Sequence, residues 1–266
     1  VIGSVSAQNN DEKTTAFQLS FVPPLSTNGM QAGEYTNGVS INLLAGISRN
    51  EKYFTFGGLA NIIHNNASGI QFAGLFNTIG NEARGLQFAG LYNYAGTGNG
   101  FLFGGLANTV KNDYNGIMFG GLFNSTNDFR GFQFGGLANI AGDVDGFQFA
   151  GLVNVAKSVK GVQCGTLLNI ADHSDYPIGF VNIIKDGEKS IGVTYDETGN
   201  IMASFRSGGR VLYGIIGFGY NHKADNDTHY VAEGGFGAHI PIVGRFRINT
   251  ELKGQFINDF SDNFIS

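Results

Sequence analysis

The stretch Gly131-Phe132-Gln133-Phe134-Gly135-Gly136-Leu137-Ala138-Asn139 is one of seven near-identical phrases in a chain of 266 residues. The phrases begin at Gly69, Gly85, Gly100, Gly116, Gly131, Gly146 and Gly161, so they recur every 15 or 16 residues with a short polar spacer after each. A short fixed period is the mark of a stacked repeat, in which each copy is one structural unit lying on its neighbours. Tyr53 to Ile62 is a degenerate earlier copy, and Ile178-Gly179-Phe180-Val181-Asn182 is a later one that has lost a residue.

Two foldings accommodate the phrase. In a parallel β-solenoid each copy is one coil, about 50 Å around at ~3.3 Å per residue, and stacks on the next at about 4.8 Å. Like residues then form ladders: Phe72 to Phe149, the leucines from Leu75 to Leu152, and Asn77, Asn93, Asn108, Asn124, Asn139, Asn154 and Asn169. Stacked amides donate to and accept from each other, so a buried asparagine column is satisfied. With phenylalanine in the core, Phe134→Asp is expected to unfold the coil. In the alternative, an outer-membrane-type antiparallel barrel, each copy is one strand, with Phe outward and Gln, Gly and Asn inward.

The solenoid is the favoured reading. Antiparallel neighbours do not stack like residues, and the spacers lack the alternation of short turns with long loops that a membrane meander shows. The shortened copy at Ile178–Asn182 would turn a flat strand inside out, whereas a corner absorbs the loss. Gly pairs such as Gly135-Gly136 mark such a corner.

From Ile191 the pattern changes to longer alternating runs, Ile191–Tyr195, Ile201–Phe205, Arg210–Tyr220, His229–Ile240 and Arg245–Ile257, divided by turn sequences. These predict an antiparallel meander. The division expected is an export-signal remnant at 1–7, N-terminal strands and a loop at 8–53, the repeat domain at 54–190, and a truncated antiparallel region at 191–266. Val5-x-Ala7 before Gln8 has the form of a signal-peptidase site.

With these runs and Phe205-Arg206-Ser207-Gly208-Gly209-Arg210-Val211-Leu212-Tyr213 in view, residues 54–222 resemble a family of Gram-negative bacterial surface-repeat proteins. Those are exported proteins with tandem glycine–apolar–Gln–apolar–Gly–Leu–apolar–Asn units and a β-rich C-terminal region. The resemblance implies a location at the cell envelope, outer membrane or cell surface. It supplies no catalytic residues.

Composition narrows the chemistry. Charged residues make up 14% of the chain and the net charge is −5, which offers no basic footprint for nucleic acid. The single cysteine, Cys164, occupies a Phe position of the repeat and reads as a packed structural thiol. His222 and His229 flank Asp225 and Asp227, but their spacing fits no zinc or calcium pattern. Asp143-Val144-Asp145-Gly146 reads as a spacer turn, and Asp196-Glu197 as opposite faces of a strand. Arg206 and Arg210 read as a charged turn, with an anion cradle as the alternative. No nucleophile elbow, zincin helix or phosphate loop is present. The chain is therefore expected to have no catalytic residues, cofactor or metal. The one candidate surface is the row Gln71, Gln87, Gln133, Gln148 and Gln163, which, facing solvent, could meet a glycan or a partner protein. A β-helix enzyme acting on carbohydrate is the least favoured alternative, because its acidic and basic cluster is missing.

Overall fold

The computed structural model describes residues 12–223, 229–243 and 246–258. The expected signal remnant at 1–7, the Asp225/Asp227 turn and the last eight residues lie outside the described residues. The fold is a parallel β-solenoid of about 15-residue coils followed by an antiparallel five-stranded sheet. The chain divides into two compact units after Asn115.

In the first unit, parallel pairing starts earlier than the repeat does. Strand Lys13–Val22 pairs in parallel with Tyr35–Asn42, which pairs in parallel with Asn50–Gly57. Residues 13–53 therefore belong to the solenoid rather than to a separate N-terminal element. The phrase follows in register, with Asn61, Asn77, Asn93 and Asn108 stacked one above another.

In the second unit, Phe129–Gly135, Asp143–Ala150 and Ser158–Gly165 stack residue on residue: Gln133 on Gln148 on Gln163, and Phe134 on Phe149 on Cys164. These parallel pairings exclude the antiparallel barrel. The shortened copy loses its residue where a corner allows it. Cys164 pairs with Ile178, 14 residues on, while Asn169 pairs with Asn182, 13 residues on, so the strands keep their facing on both sides.

The side chains, however, face the way the rejected barrel reading placed them. The Phe and Leu ladders are on the outside. Phe72, Phe103 and Phe149 are exposed, as are Leu106, Leu137 and Leu152, and Phe134 itself is half-buried. The interior holds Gln, Asn and mostly small residues, with Leu102, Met118, Tyr114 and Phe129 as larger exceptions. Per coil it receives the Gln, the Gly or Ala two residues later, the Asn, and small apolar residues flanking the spacer such as Ala67, Ile79, Val144 and Val159. Strand alternation explains this: with Gln and Asn inward, the intervening Phe must point out. Phe134→Asp is thus expected to leave the fold intact, costing about 2 kcal/mol of ring packing against Phe119, Phe132 and Phe147. A urea titration that shows complete unfolding instead would restore phenylalanine to the core.

The C-terminal strands Lys189–Tyr195, Asn200–Gly208, Leu212–Asn221, His229–Val243 and Phe246–Asn258 form a meander in sequence order. It covers the end of the coils: Phe180 stacks on Phe236 at 5.4 Å, and Asn182 Nδ2 donates to the Ser207 carbonyl at 3.1 Å. The sheet is rolled, since side chains two and three strands apart meet across one face. Arg206 Nε lies 2.8 Å from Glu251 Oε1, and Ser204 Oγ donates to Glu233 Oε1 at 2.8 Å. That face carries the charged pairs. The other carries Ile191, Val193, Phe218, Phe236, Leu252 and Phe256, all exposed.

Candidate functional site

The glutamine row lies inside. Gln71, Gln87, Gln133, Gln148 and Gln163 are fully buried, so the expected solvent-facing ladder is corrected to an internal one. Nε2 of Gln87 donates to Oε1 of Gln71 at 2.8 Å, Gln148 to Gln133 at 2.8 Å, and Gln163 to Gln148 at 3.3 Å. Each oxygen needs a glutamine on the following coil. Gln163 is followed by Pro177 and Gln87 by Leu102, and the Oε1 atoms of Gln87 and Gln163 are the two row oxygens without a donor. A glycan cannot reach any of these groups without opening the coil.

The asparagine column runs in the opposite sense. In the first unit Nδ2 of Asn42, Asn61, Asn77 and Asn93 each donates to Oδ1 of the next asparagine at 2.8–3.1 Å. In the second unit Asn124, Asn139, Asn154 and Asn169 do the same at 2.8–3.0 Å. The other N–H of most of these amides is also used: Asn61, Asn77, Asn93, Asn124 and Asn139 each donate it to a Phe carbonyl at 2.6–2.9 Å. The column therefore closes the corner and seals the amide interior.

Polarity is segregated on the outside as well. No Asp, Glu, Lys or Arg occurs in any eleven-residue stretch from the phrase glycine to two residues beyond its Asn, as in Gly131–Ala141 and Gly146–Ala156. Charges sit in the spacers, where Arg130 lies 3.5 Å from Asp145 and Lys185 3.8 Å from Asp172. Each coil thus has one charged edge, and two apolar strands that meet at the Gly–Leu corner.

The remaining candidates resolve into structure. Cys164 is a free, half-buried thiol in the outer Phe ladder, and burial pushes its pKa up, away from reactivity. Asp143 and Asp145 are not in the expected turn but in the strand Asp143–Ala150, paired with Ser158 and Lys160 of the next coil. Asp196 closes a turn by accepting from Thr198 N and Oγ1 and from Asn200 N, which holds its carboxyl far below the usual range. Arg206 forks onto Glu251 on the rolled sheet, whereas Arg210 is exposed beside His173 and Asp186, so the two make no anion cradle. Among the described residues no group of three or more His, Cys, Asp or Glu side chains is placed to hold a metal ion.

His173 is held between Asp186, 2.6 Å from Nδ1, and Asp175, 3.2 Å from Nε2. The hydrogen bond to Asp186, then that to Asp175, raises the imidazolium pKa above its ordinary value. The folded chain therefore holds this proton more tightly than the unfolded chain does. The stabilisation is complete below the free value of about 6.5 and is lost as pH rises through the raised one. Because the ring is exposed, screening keeps the effect below about 1 kcal/mol. Denaturation midpoints of the parent and His173→Gln should differ most below the free value and converge as pH rises through the raised one; a constant gap across that range would mean packing rather than charge.

No protein-family model, no curated protein and no solved structure matches the chain. The fold and its lack of a metal cluster among the described residues are consistent with a structural protein. The exposed surface that sequence reasoning missed is the outer Phe–Leu face. Its signal was the absence of charge from every copy of the phrase.

Proposed function

We propose that this is a non-enzymatic, exported protein of the cell envelope, whose coils present an interaction surface. That surface is the pair of apolar outer strands and the Leu corner, not the glutamine row. One observation carries the reading: the amides are turned inside, where most bond to one another, while Phe132, Leu137 and Phe149, at 52, 47 and 41% exposure, are left outside. Soluble proteins rarely leave contiguous apolar patches this large unless something binds there. The likeness of the repeat to the Gram-negative surface-repeat proteins supports the envelope location.

Its test is location. An epitope inserted beside the spacer residue Lys157 in the full-length gene product should fractionate with the envelope of a Gram-negative cell. Recovery of the tagged protein in the cytosol would overturn the reading.

A further inference from the structure

We infer that the outer face of the coils is built to lie in lipid hydrocarbon: each run of coils rests in a single leaflet, spacers among the headgroups and the Gly–Leu corner toward the bilayer midplane. The inference rests on the proposed role of that face as an interaction surface and names its partner.

Four observations select acyl chains over a protein partner. The first is extent. About forty large apolar side chains are exposed among the described residues, in both units and on the outer face of the rolled sheet. A standard protein interface takes roughly 20–30 residues a side, of mixed polarity. One partner or a second copy would leave much of this surface in water, whereas hydrocarbon can meet the outer face of each unit.

The second is backbone satisfaction. Hydrocarbon offers no hydrogen-bond partners, so any element facing it must satisfy its backbone internally. The stacked strands do so through parallel ladders, and even the corners bond coil to coil. Leu137 N donates to the Leu122 carbonyl at 2.8 Å, and Leu152 N to the Leu137 carbonyl at 3.0 Å.

The third is depth. From Gly131 to Gly136 the chain advances about 17 Å at ~3.3 Å per residue, and it returns from Leu137 to Ala141 over about 13 Å. The uncharged wedge is thus about 15 Å deep, half of the roughly 30 Å hydrocarbon core of a bilayer. It fits one leaflet and is too short to span two.

The fourth is charge. The spacer edge mixes both signs, with Asp128, Arg130, Asp145, Lys157 and Lys160 in consecutive spacers. A mixed edge complements zwitterionic headgroups, which present phosphate and ammonium together.

The chain has no tryptophan, so one introduced indole reports its own surroundings. Leu137→Trp, at the corner, and Lys157→Trp, in a spacer, are to be made in the full chain and mixed with phosphatidylcholine vesicles. The Leu137→Trp emission should shift to the blue and lose most of its intensity to lipids brominated near the acyl terminus, while Lys157→Trp keeps its emission. Quenching of Leu137→Trp only by bromines near the headgroup would overturn the single-leaflet depth. A Leu137→Trp emission that is blue without vesicles, indifferent to brominated lipid, and accompanied by sedimentation as an oligomer would assign the face to a second copy. The lipid inference then falls while the interaction-surface reading stands. A water-exposed indole on a monomer, with and without vesicles, overturns both.

Discussion

Replacing Asn139 with leucine is expected to lower stability by about 3–6 kcal/mol, much of the 5–15 kcal/mol that holds a typical domain together. The residue is fully buried and makes three bonds that matter. Its Nδ2 donates to Asn154 Oδ1 at 3.0 Å and to the Phe149 carbonyl at 2.6 Å, and its Oδ1 accepts from Asn124 at 2.9 Å. Leucine has nearly the same volume, so no cavity opens and the loss is electrostatic. An amide N–H of Asn124, the Oδ1 of Asn154 and a lone pair of Phe149 are left in a sealed interior, each at about 1–3 kcal/mol. The same change at the exposed spacer residue Asn127 should be silent. Urea midpoints of the two variants make the comparison, and a shift at Asn139 no larger than that at Asn127 would mean the column contributes nothing to stability.

Such a column is legible in the sequence alone. The period placed Asn139 above Asn124 and below Asn154, and only parallel stacking allows identical amides to bond in series. The loss at Ile178–Asn182 likewise identified the corner, where it leaves the facing of both strands unchanged; a second lost residue is taken up earlier, by an irregularity between Val159 and Val162. What misled was the habit of assigning phenylalanine to the core. A 15-residue coil encloses little volume, and beside the small Gly135 and Ala150 the phrase leaves no room for its own rings; the buried rings, Tyr114 and Phe129, come from the spacers. Strand alternation then forces a choice between Gln133 and its neighbours Phe132 and Phe134, and the smaller interior takes the amide. The charge-free phrase recorded the result. A stretch of eleven residues without one Lys or Glu is unusual for a surface facing water, yet here it forms both outer strands.

The rolled sheet was half legible. Alternating runs gave its strands, whose bounds moved by only a few residues, but not its curl. That depends on side chains far apart in sequence: Glu251 receives Arg206 from 45 residues away and Tyr213 from 38. Bonding to Arg206, then to Tyr213, holds the Glu251 carboxyl below its usual range. No local pattern encodes such pairs. The outcome is nevertheless close to that of the coils: the charged pairs are gathered on one face, beside the buried Met202, Ile215 and Val231, and large apolar side chains are turned out on the other.

Gly146→Ala is expected to be as damaging as the loss of Asn139, for a steric reason. The first glycines of the phrases form their own column, and in the second unit Gly116, Gly131, Gly146 and Gly161 have φ of 143°, 123°, 145° and 128°. Side chains rarely adopt such values, at a cost of about 1–3 kcal/mol. Space is lacking too. A Cβ on Gly146 would stand 2.2 Å from the Gly131 carbonyl oxygen, which cannot retreat without parting the strands it joins. Crowding of this kind adds about 1–3 kcal/mol, so the whole effect is about 2–6 kcal/mol. Gly254→Ala is the control: its Cβ would meet nothing nearer than 3.9 Å, so the melting temperature should hold or rise. Circular dichroism melts of the two variants decide the matter. Equal melting temperatures would mean that the coils can separate at the glycine column, and a solenoid able to breathe there could not keep its amides from water or present a sealed apolar wedge to anything outside.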